Sequence, residues 1–282
     1  MSKTKYTYAV ARIRALEVSL LTNAVIEQLL ACKSAEQALQ LLVEKGWGDL
    51  TAGTLDADEV LNKEEEKMWQ TIREVAPDMH VFDVLSLPKL YHNLKAAIKE
   101  VCTEVENKNI FYDDCEISGE EMYAIVQNKE FDKLPGNMPA TAREAFDTLL
   151  HTRDGQLCDL IIDRATLEAM LEAGKKSGEK IIEEYAQTAV AIADIKIAVR
   201  SQKTGKNADF MKKAMVNCSE INVDQLTQAA LAGAEEIAQY LEGTSYREGA
   251  DALRISPSAF ERWCDNKMTD SMRSQKYESF SV

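Results

Sequence analysis

Residues that interrupt helices are scarce in this chain, which has five prolines and twelve glycines among 282 residues. Proline and glycine break helices and mark the turns between strands, so their scarcity favours long helices. The apolar fraction of 45% is enough for a sizeable buried core. The sequence therefore predicts an all-α protein, with room for one large domain or for two to three small ones.

The pattern of apolar residues and helix caps places the first helices. Apolar residues recur every three or four positions across residues 9–24, which predicts one amphipathic helix there. Ser34 has the sequence context of an N-cap for a second helix. A long acidic helix is predicted from Asp56 towards Pro77, and a further helix is predicted to begin near Pro88.

The same kind of helix start occurs three times along the chain. In each case a Ser or Asn precedes a Gln or Glu three positions later, which is the spacing of a capping box. Similar residues, with a cysteine and an isoleucine, lie just before the second and third starts. The three starts are Ser34 with Gln37, Ser118 with Glu121, and Asn222 with Gln225.

Two further pairs of segments keep nearly the same separation. Residues 93–99 resemble residues 194–200, and residues 162–164 resemble residues 264–266. A period of about 100 residues is longer than that of ordinary solenoids and indicates three related helical domains. A third copy of the segment at 93–99 would fall beyond the end of the sequence. Either the third domain is degenerate or it lacks its C-terminal helix, and we expect the second. The predicted domains are residues 1–108, 109–212 and 213–282.

Charge and cysteine usage restrict the class of protein. A formal net charge of −14 argues against nucleic-acid binding, which needs clustered Lys and Arg against phosphates. The longest apolar stretch, residues 189–199, is interrupted by Asp194 and Lys196, so we expect no segment to span a membrane. The six cysteines show neither disulfide nor zinc spacing, which predicts free thiols and a cytoplasmic location.

No catalytic motif stands out. The sequence contains neither a Gly-x-x-x-x-Gly-Lys-[Ser/Thr] loop nor a Gly-x-Gly-x-x-Gly motif, and no histidine has the Glu-x-x-His spacing of a helical metal site. Asp113 and Asp114 permit an alternative, a helical prenyl-transfer enzyme that binds diphosphate through Mg²⁺. That alternative needs a second acidic cluster. The competing interpretation is that both aspartates favour the N-terminus of the helix capped by Ser118. We expect no cofactor or metal.

Several segments together resemble the C subunit of the prokaryotic V-type (A/V-type) ATPases, which is equivalent to the d subunit of the eukaryotic V-ATPase. Each segment is a weak match alone, but they follow the order of the family along nearly the whole chain. They are residues 8–17, residues 91–95, residues 162–164 with Leu167 and Leu171, residues 194–196 with Arg200, and residues 256–258 continuing into 264–266.

The resemblance implies a fold, a location and partners. The family folds into three helical-bundle domains arranged as a funnel with pseudo-threefold symmetry. It lies at the cytoplasmic face of the membrane proteolipid ring and receives the rotor shaft formed by the D and F subunits. It is a non-catalytic component that binds no nucleotide and passes torque between the ATP-driven head and the ring, for proton or sodium transport. The family also carries a C-terminal helix that would begin where this sequence ends.

Six basic residues are candidates for an interaction surface. Arg12 and Arg14 lie about 200° apart around a helix, so they cannot share one exposed face. The other four occupy matching positions of the repeat, one turn apart within each copy. They either line a central surface that faces an acidic shaft or form symmetric ion pairs between domains. The candidates are Arg12, Arg14, Lys95, Lys99, Lys196 and Arg200.

Overall fold

The computed structural model describes residues 6–48, 56–105 and 110–273. Helices are the only regular secondary structure in this described part of the chain, which confirms the all-α prediction. The chain forms two compact units that separate between Met79 and His80. None of the described helices is both long enough and apolar enough to cross a membrane.

The first unit begins with a helix that ends earlier than predicted. The single helix expected over residues 9–24 is wrong, because α1 ends at Leu16 and a short 3-10 turn follows. The Ser19 hydroxyl donates to the Leu16 carbonyl, and the Thr22 hydroxyl accepts from the Val25 amide to start a new helix. Local capping therefore outweighs the continuing apolar pattern. The helices of this unit are α1 (Thr7–Leu16), α2 (Asn23–Leu30), α3 (Ala35–Glu44) and α4 (Ala57–Val75).

The predicted cap of α3 is confirmed, and α4 begins directly after Asp56 as predicted. Ser34 accepts a hydrogen bond from the Gln37 amide, and Asp56 accepts from the first amides of α4. The end of α3 is also joined to α4, since the Gly48 amide donates to a Glu64 carboxylate oxygen over 3.0 Å.

The second unit contains two hydrophobic cores, and the first core is built from four helices. α5 begins at Asp83, ahead of the start predicted near Pro88, because a 3-10 turn over Met79–Phe82 leads directly into it. Pro88 is accommodated in the second turn, where it removes one backbone donor. The first core consists of α5 (Asp83–Thr103), α6 (Gly119–Gln127), α7 (Met138–Thr152) and α8 (Gly155–Lys176).

The second core is built from the remaining six described helices. Its centre is formed by large apolar side chains that are shielded from solvent, among them Ile195, Met211 and Leu226. Its long helix α9 packs against α11 and α14. The second core consists of α9 (Lys180–Thr204), α10 (Ala208–Ala214), α11 (Val223–Ala232), α12 (Ala234–Glu242), α13 (Arg247–Ile255) and α14 (Pro257–Arg273).

The two cores are joined by the close packing of α8 against α9. A methyl group added at Gly174 of α8 would lie 2.6 Å from the Cβ atom of Ala186 on α9. Such a distance leaves no room for a side chain at Gly174, so the absence of one lets the two helix backbones approach each other. The long helices α8 and α9, of 22 and 25 residues, thus connect the cores without an intervening flexible linker.

The cores share the order of parts that the sequence repeat predicts. In each, a long helix precedes a helix that is N-capped by Ser118 or Asn222 as predicted, although the second core inserts the short helix α10 between them. Each long helix packs into the core that follows it in sequence. The domain boundaries after residues 108 and 212, and the funnel arrangement, remain predictions. Residues 106–109 and 274–282, at the first boundary and at the end of the third domain, lie outside the described residues.

Candidate interaction surface

Two buried polar side chains hold the loops that precede α6 and α11. The Asn93 side chain accepts from the Tyr112 amide and donates to the Tyr112 carbonyl, both over 2.9 Å. One carboxylate oxygen of Asp194 accepts from the Val216 amide over 3.1 Å. The other is buried and has no hydrogen-bond partner within the described part of the chain. Burial raises the pKa of Asp194 to about 7, against the opposing effects of the Val216 hydrogen bond and the charge of Arg164.

Lys95 and Lys99 form ion pairs that connect two helices of the first core. The ammonium group of Lys95 is bound to the carboxylate of Asp163. One turn further along α5, Lys99 lies 2.6 Å from a carboxylate oxygen of Asp159. Both acids belong to α8, so these lysines join α5 to α8.

The matching positions of the second core are occupied differently. Lys196 lies 2.6 Å from Glu261 and so joins α9 to α14. Burial lowers the pKa of Lys196, but the hydrogen bond with Glu261 and the nearby charges of Glu261, Cys264 and Asp265 together outweigh this effect, and the net shift is upward. Arg200 is exposed, and no ion pair or hydrogen bond of its side chain occurs among the described residues. Of the two interpretations, ion pairing therefore describes three of the four matched cations.

Of the two candidate arginines of α1, only Arg14 has an ion-pair partner among the described residues. The guanidinium of Arg14 lies 3.1 Å from the carboxylate of Glu17, one turn along the chain. Arg12 is exposed, and the described residues provide no ion pair for it. Arg12 and Arg200 are thus the two candidate cations whose charge is not neutralised by a described neighbour.

A groove that the sequence did not predict lies in the second core. It has a volume of about 390 Å³ and is bounded by α9, the first turn of α12, the end of α13 and the start of α14. Its floor is apolar and includes Val199, Leu253 and Phe260, while charged side chains form its edges. The charged residues of the edges are Lys196, Arg200, Lys203, Glu235, Arg254 and Glu261.

The acidic pair that suggested Mg²⁺ binding is engaged in the structure. Asp114 lies 2.6 Å from the ammonium group of Lys89, and the exposed Asp113 precedes the helix capped by Ser118. Within the described ranges, no three His, Cys, Asp or Glu side chains are placed to bind one ion. Asp113 and Asp114 therefore find no second acidic cluster in that part of the chain.

The six cysteines are free thiols, of which three are buried and three are half-buried. Burial raises the pKa of Cys158 and of Cys264 to about 12, and that of Cys115 to about 11. Thiols with such high pKa values are almost fully protonated at neutral pH, and only the thiolate is an efficient nucleophile. These three cysteines have the environment of core residues.

Comparison with known proteins identifies the family. A sequence model of the ATP synthase (C/AC39) subunit family matches residues 9–282. The chain belongs to this family. The match covers nearly all of the chain, so both units contribute to it, including the short helices of the first unit.

Similarity to a known protein supports the same assignment. The C subunit of the V-type sodium ATPase of Enterococcus hirae is 22% identical to this chain over 238 residues, which is 84% of this chain and 73% of the relative. The resemblance to the C subunit of the V/A-type ATPases, inferred from short segments, is therefore confirmed.

For this C/AC39 chain, sequence reasoning found the matched cations but missed the groove. The apolar floor residues come from four helices that are separated in sequence, so no periodic pattern joins them. Lys196 and Arg200 are the two predicted candidates that lie at its edge, but the sequence did not show that Arg200 has no acidic partner among the described residues.

Proposed function

We propose that this chain is the non-catalytic central-stalk subunit of a rotary V/A-type ATPase. It joins the rotor shaft, formed by the D and F subunits, to the membrane proteolipid ring, and it passes torque between them for proton or sodium transport. The observation that carries the proposal is the family match over residues 9–282, which includes both structural units.

The architecture of the second unit suits the transmission of torque. α8 and α9 are long helices in direct contact at Gly174, so a load applied to one core reaches the other through packed backbone rather than through a loop. Ion pairs between α5 and α8 and between α9 and α14 brace each core against sliding. Close-packed interiors transmit strain because they have low compressibility.

The proposed placement is peripheral, on the cytoplasmic face of the membrane, with attachment through the proteolipid ring. In this arrangement the chain needs protein-binding surfaces and no catalytic group. Arg12 and Arg200 are candidates for contact with acidic partner surfaces, since each is an exposed cation that lacks a described counter-ion.

Reconstitution tests the proposal. The purified chain is mixed with the D–F heterodimer and with the detergent-solubilised proteolipid ring, and complexes are separated by size-exclusion chromatography. We expect one complex that contains all of these components, and we expect ring and shaft to remain separate when the chain is omitted. Failure of the chain to bind either component would contradict the proposal.

Two substitutions on α1 that remove the same charge test, in the same assay, whether this helix contacts the shaft. Arg12→Gln is expected to weaken shaft capture several-fold at low salt, because it removes an exposed cation that has no counter-ion among the described residues. Arg14→Gln removes the same charge from a cation that is already paired with Glu17, so it is expected to leave capture unchanged. Equal effects of the two substitutions would exclude a specific contact at Arg12.

A further inference from the structure

The charges around the groove of the second core do not balance. Glu261 is paired with Lys196 at 2.6 Å, and Glu235 is paired with Arg254 at 2.5 Å. Arg254 also lies 2.7 Å from Glu242, which fastens α13 to α12.

Two cations of the groove edge remain. Arg200 and Lys203 are exposed residues of α9, and neither side chain has an ion pair or hydrogen bond within the described ranges. The groove therefore has an excess of positive charge along one side, in a chain whose formal net charge is −14. An acidic ligand is favoured there by charge complementarity.

In the first core, the surface that corresponds to the groove is covered by another helix of the same chain. There the single 15-residue helix α7 packs against α5, and Arg153 at its end donates to the Cys102 carbonyl over 2.9 Å. Cys102 is 7% exposed, whereas Lys203, which occupies the matching position of the repeat, is exposed. A helix of the chain itself closes this part of the first core.

In the second core two nine-residue helices, α12 and α13, stand between the capped helix and α14, where the first core has α7. The groove lies beside the start of α12 and the end of α13. Next to it in sequence, the aliphatic side chain of Ile255 is 75% exposed.

We propose that this groove binds an amphipathic helix of a partner protein in the complex, with the apolar side of that helix in the groove and its acidic side chains paired with Arg200 and Lys203. Helices that dock in this way insert apolar residues at positions i, i+3 and i+4 or i+7, which suits an apolar floor with charged edges. The partner belongs to the ATPase complex, so this inference rests on the function proposed above.

Photo-crosslinking in the assembled ATPase tests the proposal. A benzophenone amino acid replaces Gln202, which lines the groove, and in a control chain it replaces Gln239, an exposed residue of α12 outside the groove lining. We expect the Gln202 probe to cross-link to a peptide of a partner protein with an apolar stripe flanked by Asp or Glu at helical spacing. The Gln239 probe should not label that peptide.

Charge reversal then tests the role of the two cations. Arg200→Glu with Lys203→Glu is expected to reduce the yield of the Gln202 cross-link about tenfold, in line with the loss of two charge contacts. Lys213→Glu with Arg262→Glu makes the same change in net charge at exposed positions outside the groove and should leave the yield unchanged. Replacing the labelled acidic residues of the partner by lysine should restore the cross-link to the doubly reversed chain.

Several outcomes would overturn the docking site. They are a cross-link to this chain itself or to a second copy, a labelled peptide without acidic side chains, an assembled complex without any Gln202 cross-link, and equal yields for the two charge-reversed variants. If the chain failed to join the ATPase at all, assembly would be lost before illumination, and that result would count against the proposed function instead.

Discussion

Asn93 and Asp194 lie at matching positions of α5 and α9, and each binds the backbone of the loop that precedes a capped helix. Asn93 uses both of its polar atoms, since it accepts from the Tyr112 amide and donates to the Tyr112 carbonyl. Asp194 accepts from the Val216 amide with one oxygen and leaves the other buried without a described partner. A protonated Asp194 would resemble Asn93, because its second oxygen would then carry a donor.

This relationship gives the stability of the second core a defined pH dependence. The pKa of Asp194 is about 7 in the folded chain and 3.8 in an unstructured one, so the folded state binds the proton more tightly. The free energy of unfolding therefore falls as the pH rises from about 4 to about 7, and this group contributes no further change above that range.

Asp194→Asn is expected to remove that dependence. The substitution keeps the acceptor for Val216, supplies a donor and eliminates the buried charge. Between pH 5 and pH 8 the loss of stability due to Asp194 amounts to about 2–3 kcal/mol, and we expect the variant to regain it at pH 8. Denaturant unfolding at both pH values measures the effect. Asp147→Asn, at an exposed position of α7, is the control and should change neither value. A variant with unchanged stability at pH 8 would contradict the proposed cost of the Asp194 charge.

The reverse substitution, Asn93→Asp, should make the stability of the first core depend on pH in the same way. Asn93→Asp buries a carboxylate and deprives the Tyr112 carbonyl of its donor, so we expect a loss of about 2–4 kcal/mol at pH 8. Protonation should relieve much of this loss at pH 5. Asn266→Asp on α14 makes the same chemical change at an exposed position and is expected to have little effect. Unfolding curves at the two pH values test this, and a loss of equal size at both would show that charge is not its cause.

The contact between α8 and α9 predicts opposite effects for two glycine substitutions in one helix. Gly174→Ala forces a methyl group to within 2.6 Å of Ala186, and the resulting overpacking is expected to cost about 1–3 kcal/mol despite the better helix propensity of alanine. Gly155→Ala, at the start of α8, meets no atom within 4 Å and should be neutral or stabilising. Denaturant midpoints distinguish the two, and a stabilised Gly174→Ala would show that the helices are less closely packed.

The ion pairs between α5 and α8 should contribute modestly to stability. Lys99 and Asp159 are 38% and 35% exposed and lie 2.6 Å apart, so a double-mutant cycle with alanine is expected to give a coupling of about 0.5–1 kcal/mol. The coupling should decrease in about 1 M salt. The more exposed pair of Lys133 and Glu130, three residues apart, is the control and should give a smaller value. A zero coupling for Lys99 and Asp159 would exclude bracing by this pair.

Interactions between residues close in sequence were the ones that could be predicted. The caps at Ser34, Ser118 and Asn222 join groups three residues apart, so their pattern is visible in the sequence itself. The wrong prediction of one helix over residues 9–24 also has a short-range cause. The cap at Thr22 starts a new helix although the apolar pattern continues. The repeat predicted that Lys95 and Lys196 are equivalent, but it left open whether they face a partner or an acid.

The sequence by itself determined that this chain is helical, where several of its helices begin, and, through the order of short matched segments, which family it resembles. Only the tertiary structure decided that Lys95, Lys99 and Lys196 are paired with acids of a distant helix, whereas Arg200 has no such partner among the described residues. It also decided that Asp194 is buried and that a groove opens in the second core. The physical reason is that burial and ion pairing depend on which surfaces meet across helices far apart in sequence, whereas caps and helix periodicity depend on neighbours within one or two turns.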